Sequence, residues 1–372
     1  MKNHFLKTVA LMLTLLVLLT ACGGKTATQD GYNKEDKQVE KQEEKTEVKG
    51  EEKQEEKKEE VGEEAKPEEP VAAEEYGDRE FKMIAPVGVP TIGMLQMMKE
   101  SAEIGGAKMS YESITATDTI APKLISGEAD FAVVPSNLAI KVYNKGAAYQ
   151  YAGSTVWGIL YLATSDDSVK SWQDLKGKTI ALIGRGLTPD LTLRYLMQKN
   201  GLNPDTDVTL EYVSGASELA PLFISGKANI ALLPEPMLTQ VMTKKPESKV
   251  LYDIQEEWKT VTGGESYPQT AVMIKKEIIE KYPVLVESFL ERLNASIEFA
   301  KENPKAAGDY MEEINPNLKA GVIAKAIPNC NLQYKQTADA KAALETYYMT
   351  LKEFGPEHIG GKMPDENFYY QK

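Results

Sequence analysis

Ala121-Pro122-Lys123-Leu124-Ile125-Ser126-Gly127-Glu128-Ala129-Asp130-Phe131-Ala132-Val133-Val134-Pro135 and Ala220-Pro221-Leu222-Phe223-Ile224-Ser225-Gly226-Lys227-Ala228-Asn229-Ile230-Ala231-Leu232-Leu233-Pro234 match one another without a gap. Gly127 and Gly226 lie 99 residues apart, and the same offset links Ile84 to Ile183 and Pro90 to Pro189. Each copy reads as the end of a helix, a glycine that stops it, and a short apolar strand closed by proline. The duplication implies two lobes on one plan: strand, Pro-containing loop, helix, strand, helix, Gly turn, strand, Pro.

The flanking sequence extends that plan. Residues 81–85 and 178–183 are short apolar runs of the kind buried in parallel sheets. Each runs into glycine and proline, and amphipathic helices are predicted over 91–103 and 188–199. Thr188 reads as an N-cap, with Pro189 at the first helical position. Strands alternating with helices make the chain α/β, with doubly wound parallel sheets and crossover helices. The predicted route assigns residues 78–164 to the first part of lobe 1 and 165–261 to lobe 2. Residues 262–372 return to lobe 1, with a strand over 269–274 and helices over 275–301 and 337–354. Two crossings make a two-strand hinge, which suits clamshell closure.

The amino end carries a different signal. Lys2 and Lys7 precede an apolar run over 9–19, followed by Leu19-Thr20-Ala21-Cys22. A basic start, an apolar core and small residues describe an export signal over 1–21. The run is shorter than the ~20 residues of a membrane span. Leu-Thr-Ala-Cys resembles the bacterial lipobox, which implies cleavage before Cys22 and a lipid on its sulfur. Residues 22–77 read as the lipidated cysteine and a charged tether. Positions 23–76 hold 10 Lys and 19 Asp or Glu, and almost nothing that could form a core. The formal net charge of the chain is -13; removing the signal and this tether leaves only a modest negative charge, with no nucleic-acid footprint. Cys22 and Cys330 are the only cysteines. With Cys22 lipidated, Cys330 is a free thiol and no disulfide framework exists.

Asp174-Leu175-Lys176-Gly177-Lys178 followed by Ile180-Ala181 resembles the "DLKGK.IA" opening of a second lobe in a known family. Leu124-Ile125-Ser126-Gly127-Glu128-Ala129-Asp130, Glu235-Pro236, and Tyr267-Pro268-Gln269-Thr270-Ala271-Val272-Met273 add to the match. The family is that of the solute-binding proteins of nitrate, sulfonate, taurine and thiamine-precursor import (NMT1/THI5-like), and the resemblance covers about residues 80 to 315. It implies a type II periplasmic-binding-protein fold, a monomer, no cofactor, and the permease and ATPase subunits of an ABC importer as partners. It leaves the ligand open among sulfonates, nitrate-like anions, thiamine precursors and flavin-like aromatics.

Parallel α/β sheets bind ligands beyond the carboxyl ends of their strands. In lobe 1 that rim holds Gly88, Val89, Pro90 and Thr91, then Pro135, Ser136 and Asn137. In lobe 2 it holds Arg185, Gly186, Leu187 and Thr188, then Ser214, Gly215 and Glu235. Arg185 is the sharpest candidate: one of four arginines, it sits between two glycines, and its planar fork suits an anion, with a solvent-exposed loop arginine as the alternative. Trp157 and Tyr267, near the crossings, are candidates to stack on a flat ligand, with core or hinge packing as the alternative. Two functional alternatives stay open. One is a surface sensing or adhesion module of the same fold. The other is an enzyme related to thiamine-pyrimidine synthesis, which the poverty in histidine opposes: His4 lies in the signal and His358 near the end. No metal-binding cluster or phosphate loop is present in the sequence.

Overall fold

The computed structural model describes residues 74–372. The export signal, Cys22 and most of the charged tether lie outside the described residues. The chain enters lobe 1 through β1 (Glu80–Pro86), α1 (Val89–Ile92), α2 (Leu95–Glu100), β2 (Glu103–Ile104), β3 (Ala107–Ile114), α3 (Ile120–Ile125), β4 (Phe131–Pro135), α4 (Ser136–Asn144) and β5 (Tyr149–Val156). Lobe 2 is β6 (Leu160–Thr164), β7 (Thr179–Ile183), α5 (Thr188–Lys199), β8 (Thr209–Val213), α6 (Ala216–Ile224), β9 (Ile230–Pro234), α7 (Met237–Lys244), β10 (Lys249–Asp253) and α8 (Ile254–Thr262). The chain then returns through β11 (Thr270–Lys275), α9 (Lys276–Lys281), α10 (Pro283–Glu302), α11 (Pro304–Ile314), α12 (Ala320–Ala326), β12 (Leu332–Gln336) and α13 (Thr337–Phe354).

The first sheet runs β12-β5-β11-β4-β1-β3-β2 and the second β10-β6-β9-β7-β8. The order β11-β4-β1-β3 in lobe 1 has its counterpart in β6-β9-β7-β8 of lobe 2. In each, the two central pairings are parallel and one strand runs against them. The central strands are buried on both faces because helices cover both sides of each sheet. Along β1, Phe81, Met83 and Ala85 enter one apolar cluster, and Ile84 enters the other, shared with Leu124 of α3 and Ile140 of α4. In lobe 2, Ala181 and Ile183 of β7 meet Leu219 and Phe223 of α6 and Val241 of α7. The faces therefore correspond, repeat to repeat.

The repeat holds with one shift. Pro90 and Pro189 both occupy the second position of their helices, 99 residues apart. Glu112 and Glu211 keep that offset on β3 and β8, as do Ala132 and Ala231 on β4 and β9. Yet Ile84 pairs with Ala132 where Ala181 pairs with Ala231. The counterpart of Ile84 is Ala181, not the expected Ile183, because the loop entering α5 is two residues longer than the loop entering α1. A shift of two is tolerable, since strand side chains alternate and a shift of one would turn the apolar set to the wrong face.

Several boundaries differ from the sequence expectation. β6 pairs with β9 of the second sheet, so the first crossing falls at 157–159 and not near Thr164. The helix expected over 91–103 is two short helices, and Glu103 has become strand. The helix expected over 275–301 is divided at Tyr282, just before Pro283. Thr188 is the first residue of α5, and Leu187 is its N-cap. The folded part also begins earlier than expected. Glu74 accepts hydrogen bonds from the free N–H groups of Val284 and Leu285 at the start of α10, and the Tyr76 ring meets Phe81 edge-on at 5.7 Å.

Candidate functional site

The carboxyl ends of the central strands in both lobes open on one cleft, which holds a cavity of about 70 Å³. Lobe 1 contributes Val87, Gly88 and Val89 after β1, with Thr115 and Thr117 after β3. Lobe 2 contributes Ile183, Leu187 and Thr188 around the start of α5, with Ala216 and Ser217 at the start of α6. Val156, Ile159, Gln269 and Thr270 from the crossings form its floor. The wall is mostly apolar, with a few hydroxyl, amide and carboxyl groups set in it. Such a surface suits a small organic molecule. Gly88 shapes the lobe 1 wall: its φ of 122° and ψ of -145° lie in a region open essentially to glycine alone.

Seven of the residues picked from sequence line this cavity: Gly88, Val89, Pro90, Pro135, Leu187, Thr188 and Glu235. The others lie elsewhere. Arg185 is exposed, with its guanidinium 4.3 Å from the centre of the Tyr212 ring, beside Arg194 and Asp205 on the outer surface of lobe 2. The longer loop carries it away from the cavity lining. Arg194 is tied to Asp190 at 3.1 Å and Asp205 at 2.8 Å. Trp157 packs at the back of the hinge, donating from Nε1 to the Gln333 carbonyl, with Lys335 4.2 Å above its ring. Tyr267 is buried, stacked on Tyr347 and edge-on to Trp258. Neither aromatic ring is open to a ligand in the cleft.

Thr91 and Ser136 are spent on the backbone. Their hydroxyls donate to the carbonyls of Pro86 and Pro268, at 2.8 and 2.6 Å. Asn137 joins the lobes instead of holding a ligand: its Nδ2 donates to the Gly186 carbonyl across the mouth at 2.8 Å. Ser214 and Gly215 sit beside the cavity. A Cβ on Gly215 would stand 2.8 Å from the Thr115 carbonyl oxygen, so this glycine lets the two lobes meet backbone to backbone.

Two of the polar lining residues, Glu235 and Gln269, are themselves buried. Glu235 is almost fully buried. Its carboxylate accepts from the Thr239 amide at 3.1 Å and the Thr239 hydroxyl at 3.0 Å. Burial nevertheless pushes its pKa above the usual carboxylate value, because the charged form loses water. Ser136 and Glu235 are repeat equivalents, and both amides donate to a crossing segment, Ser136 to Gln269 and Glu235 to Ile159. Gln269 is 7% exposed, and its side-chain Oε1 has no hydrogen-bond partner.

Sequence reasoning passed over Gln269, Thr270, Val156 and Ile159, and also Thr115 and Thr117. The first four lie on the crossings, whose contribution to a floor depends on how the lobes meet. A polar residue directly ahead of the apolar run 270–274 was the available signal for Gln269.

Among the described residues no helix is long and apolar enough to cross a membrane, and no cluster of side chains is suited to a metal ion. A family model described as NMT1/THI5 like matches residues 106–307. A Bacillus subtilis (strain 168) protein named "Putative binding protein YtlA" is 25% identical over 243 residues, 63% of this chain and 70% of that one. The crystal structure of an ABC transporter from Parabacteroides distasonis superposes with a TM-score of 0.66 and 27% identity, over 79% of this chain and 100% of that one. The periplasmic aliphatic sulphonate binding protein SsuA of Escherichia coli gives a TM-score of 0.62 at 17% identity, over 79% of this chain and 93% of that one, a likeness of fold.

Proposed function

Because this chain belongs to the NMT1/THI5-like family, matched over more than half its length, we propose that it is an extracytoplasmic solute-binding protein that captures a small molecule between its lobes and delivers it to an ABC importer. The observation that carries this reading is the cleft itself. Both copies of an internal repeat present the carboxyl ends of their strands to one small, largely apolar cavity, and two crossings alone thread between the sheets behind it. Binding by closure follows, since ligand contacts made from both lobes favour the closed arrangement. The kinship is with binding proteins, not enzymes.

The anchor is part of the same proposal. Leu19-Thr20-Ala21-Cys22 supports a lipid on Cys22, and the charged residues that follow would hold the domain away from the membrane. Cys22→Ser should release the protein from the membrane fraction. Retention of that variant at the membrane would remove the lipid from this account.

Ligand capture is tested by thermal unfolding of the chain from residue 22 onward against a panel of small metabolites: sulfonates, carboxylates, pyrimidines, flavins and short peptides. A ligand at 100 times its dissociation constant adds about 2.7 kcal/mol of stability. One member of the panel should raise the midpoint by ~5–10 °C. A flat response across the panel, with no small molecule in the mass spectrum of the denatured protein, would defeat the reading.

A further inference from the structure

We propose that the lobes turn about a fixed line formed by the crossings together with α12 and α13, so that only the rim at Thr115 and Gly215 parts. In the solute-binding reading this is the side by which a solute enters. The entry route rests on that reading; the motion rests on contacts alone.

The returning chain grips lobe 2 on opposite faces of the sheets. On one face α12 packs on α7, and Ile323 and Ala326 share an apolar cluster with Met237, Leu238 and Val241. On the other, Tyr347 of α13 stacks on Tyr267 of the second crossing, with ring centres 5.6 Å apart, and lies 5.4 Å from Trp258 of α8. Phe354, at the end of α13, meets Tyr195 of α5 edge-on at 6.2 Å. Trp258, Tyr267 and Tyr347 are completely buried or nearly so. Each aromatic side chain of this kind buries ~150–250 Å², so swinging α13 off lobe 2 would return a large apolar surface to water. The helix itself belongs to lobe 1: the Tyr348 hydroxyl donates to the Ser136 carbonyl at 2.8 Å, and the Thr337 hydroxyl to the Tyr151 carbonyl at 3.0 Å.

Both lobes also hold the first crossing. The Trp157 amide donates to the Asn331 carbonyl at 3.1 Å, and Asn331 Nδ2 donates to the Gly158 carbonyl at 2.7 Å. From the lobe 2 side, Gln255 Oε1 accepts from the Leu160 amide at 2.8 Å. Gly158 has φ 75°, and a Cβ there would stand 2.3 Å from Gln255 Cγ, so the crossing passes directly against α8. Tied to both lobes within so few residues, it can twist but cannot let one lobe slide along the other.

The rim is held by far less. Asn137 Nδ2 donates to the Gly186 carbonyl at 2.8 Å, and its Oδ1 accepts from the Thr188 hydroxyl at 3.4 Å. Its other acceptor, the His358 carbonyl, stays with lobe 1 on opening, because Asn144 of α4 binds the neighbouring carbonyls of Ile359 and Lys362. Farther from the crossings, after β3 and β8, the Thr115 carbonyl faces Gly215 with no side chain between them. Parting this rim gives up hydrogen bonds that water replaces, whereas parting the α13 side exposes aromatic rings that water does not stabilise.

Spin-label distances test the motion in the Cys22→Ser chain, where the remaining cysteine, Cys330, is buried. One pair, Asp118→Cys with Glu218→Cys, flanks the rim; the other, Gln198→Cys with Glu353→Cys, flanks the contact between α13 and α5. All four positions are exposed. Gly215→Val drives a wedge into the rim, since even its Cβ would stand 2.8 Å from the Thr115 oxygen. The wedge should lengthen the 118–218 distance by more than ~2 Å and leave the 198–353 distance unchanged. Asn137→Ala, which removes a rim contact without adding bulk, should do the same to a smaller extent, so the test survives a wedge that unfolds the chain. Lengthening of both distances together, lengthening of 198–353 alone, or no change in either variant would overturn the proposal. No solute is present in these measurements, so their failure is separate from a silent metabolite panel, which would defeat the solute-binding reading and leave the motion standing.

Discussion

The loops that leave the first strand of each lobe occupy equivalent places and do different things. In lobe 1 two residues, Val87 and Gly88, link β1 to α1, and both line the cleft. In lobe 2 four residues, Gly184 to Leu187, link β7 to α5, and the extra length swings Arg185 onto the outer surface. The first loop is short and needs a backbone conformation that only glycine provides. The second is longer, turns through left-handed glycines at 184 and 186 with φ near 70°, and keeps its cation in water. Duplication thus preserved the frame while the rims diverged, and a rim residue's role cannot be transferred from one lobe to the other by counting.

The largest expected effect breaks the comparison at its glycines. Gly88→Ala should cost about 2–3 kcal/mol, since its φ and ψ exclude a side chain even though nothing lies within 4 Å of the added carbon. Gly184→Ala should cost only ~1 kcal/mol, the penalty of the left-handed region. Urea unfolding of both variants decides it; equal losses would mean that the two loops are not conformationally distinct.

Next comes the contact that joins the rims. Asn137→Ala deletes the donor to the Gly186 carbonyl, worth about 1 kcal/mol. Ligand affinity should fall about 5-fold, and the unliganded protein should scatter as a more open particle. If the scattering profile did not change, Asn137 would not govern closure.

The Glu235 prediction is one of sign. Burial raises its folded pKa above 4.5. The folded state therefore prefers the protonated form, and that contribution is present in acid and fades as pH rises through the folded pKa. Glu235→Gln removes the cost of the charge. At pH 4 the variant and parent should melt together, and at pH 8 the variant should melt ~2 °C higher. A variant less stable at pH 8 would show that the Thr239 hydrogen bonds outweigh the loss of water.

The smallest effect is at Arg185. Arg185→Ala should cost ~0.5–1 kcal/mol through the lost contact with Tyr212 and leave solute affinity untouched. A large fall in affinity would put the arginine back in the cleft and undo the contrast between the loops.

Much of the frame was legible because it is written in local signals. The apolar runs at β7, β4 and β9 are continuous, as in strands buried on both faces, β1 is broken only by Lys82, and Gly127 and Gly226 mark helix ends with φ near 70°. The site was legible only where glycine, proline or a helix start marks the rim. Asn137, Ser136 and Thr91 look like ligand groups in sequence, but their partners are backbone carbonyls: Gly186 and Pro268, distant in the chain, and Pro86, at the strand end that precedes Thr91. Trp157 and Tyr267 were found at the crossings, as their positions suggest, yet packed into hinge and core.

By itself the sequence determined two lobes of one α/β plan, the order of their elements and the family, because periodicity, turn chemistry and a gapless repeat are properties of neighbouring residues. Only the tertiary structure decided which rim groups face the cleft. That choice depends on a two-residue difference in loop length, on which hydroxyls the distant backbone consumes, and on where two crossing segments come to lie. Those are long-range contacts, and they turned an expected cationic clamp into an outward arginine and left a buried glutamine without a partner.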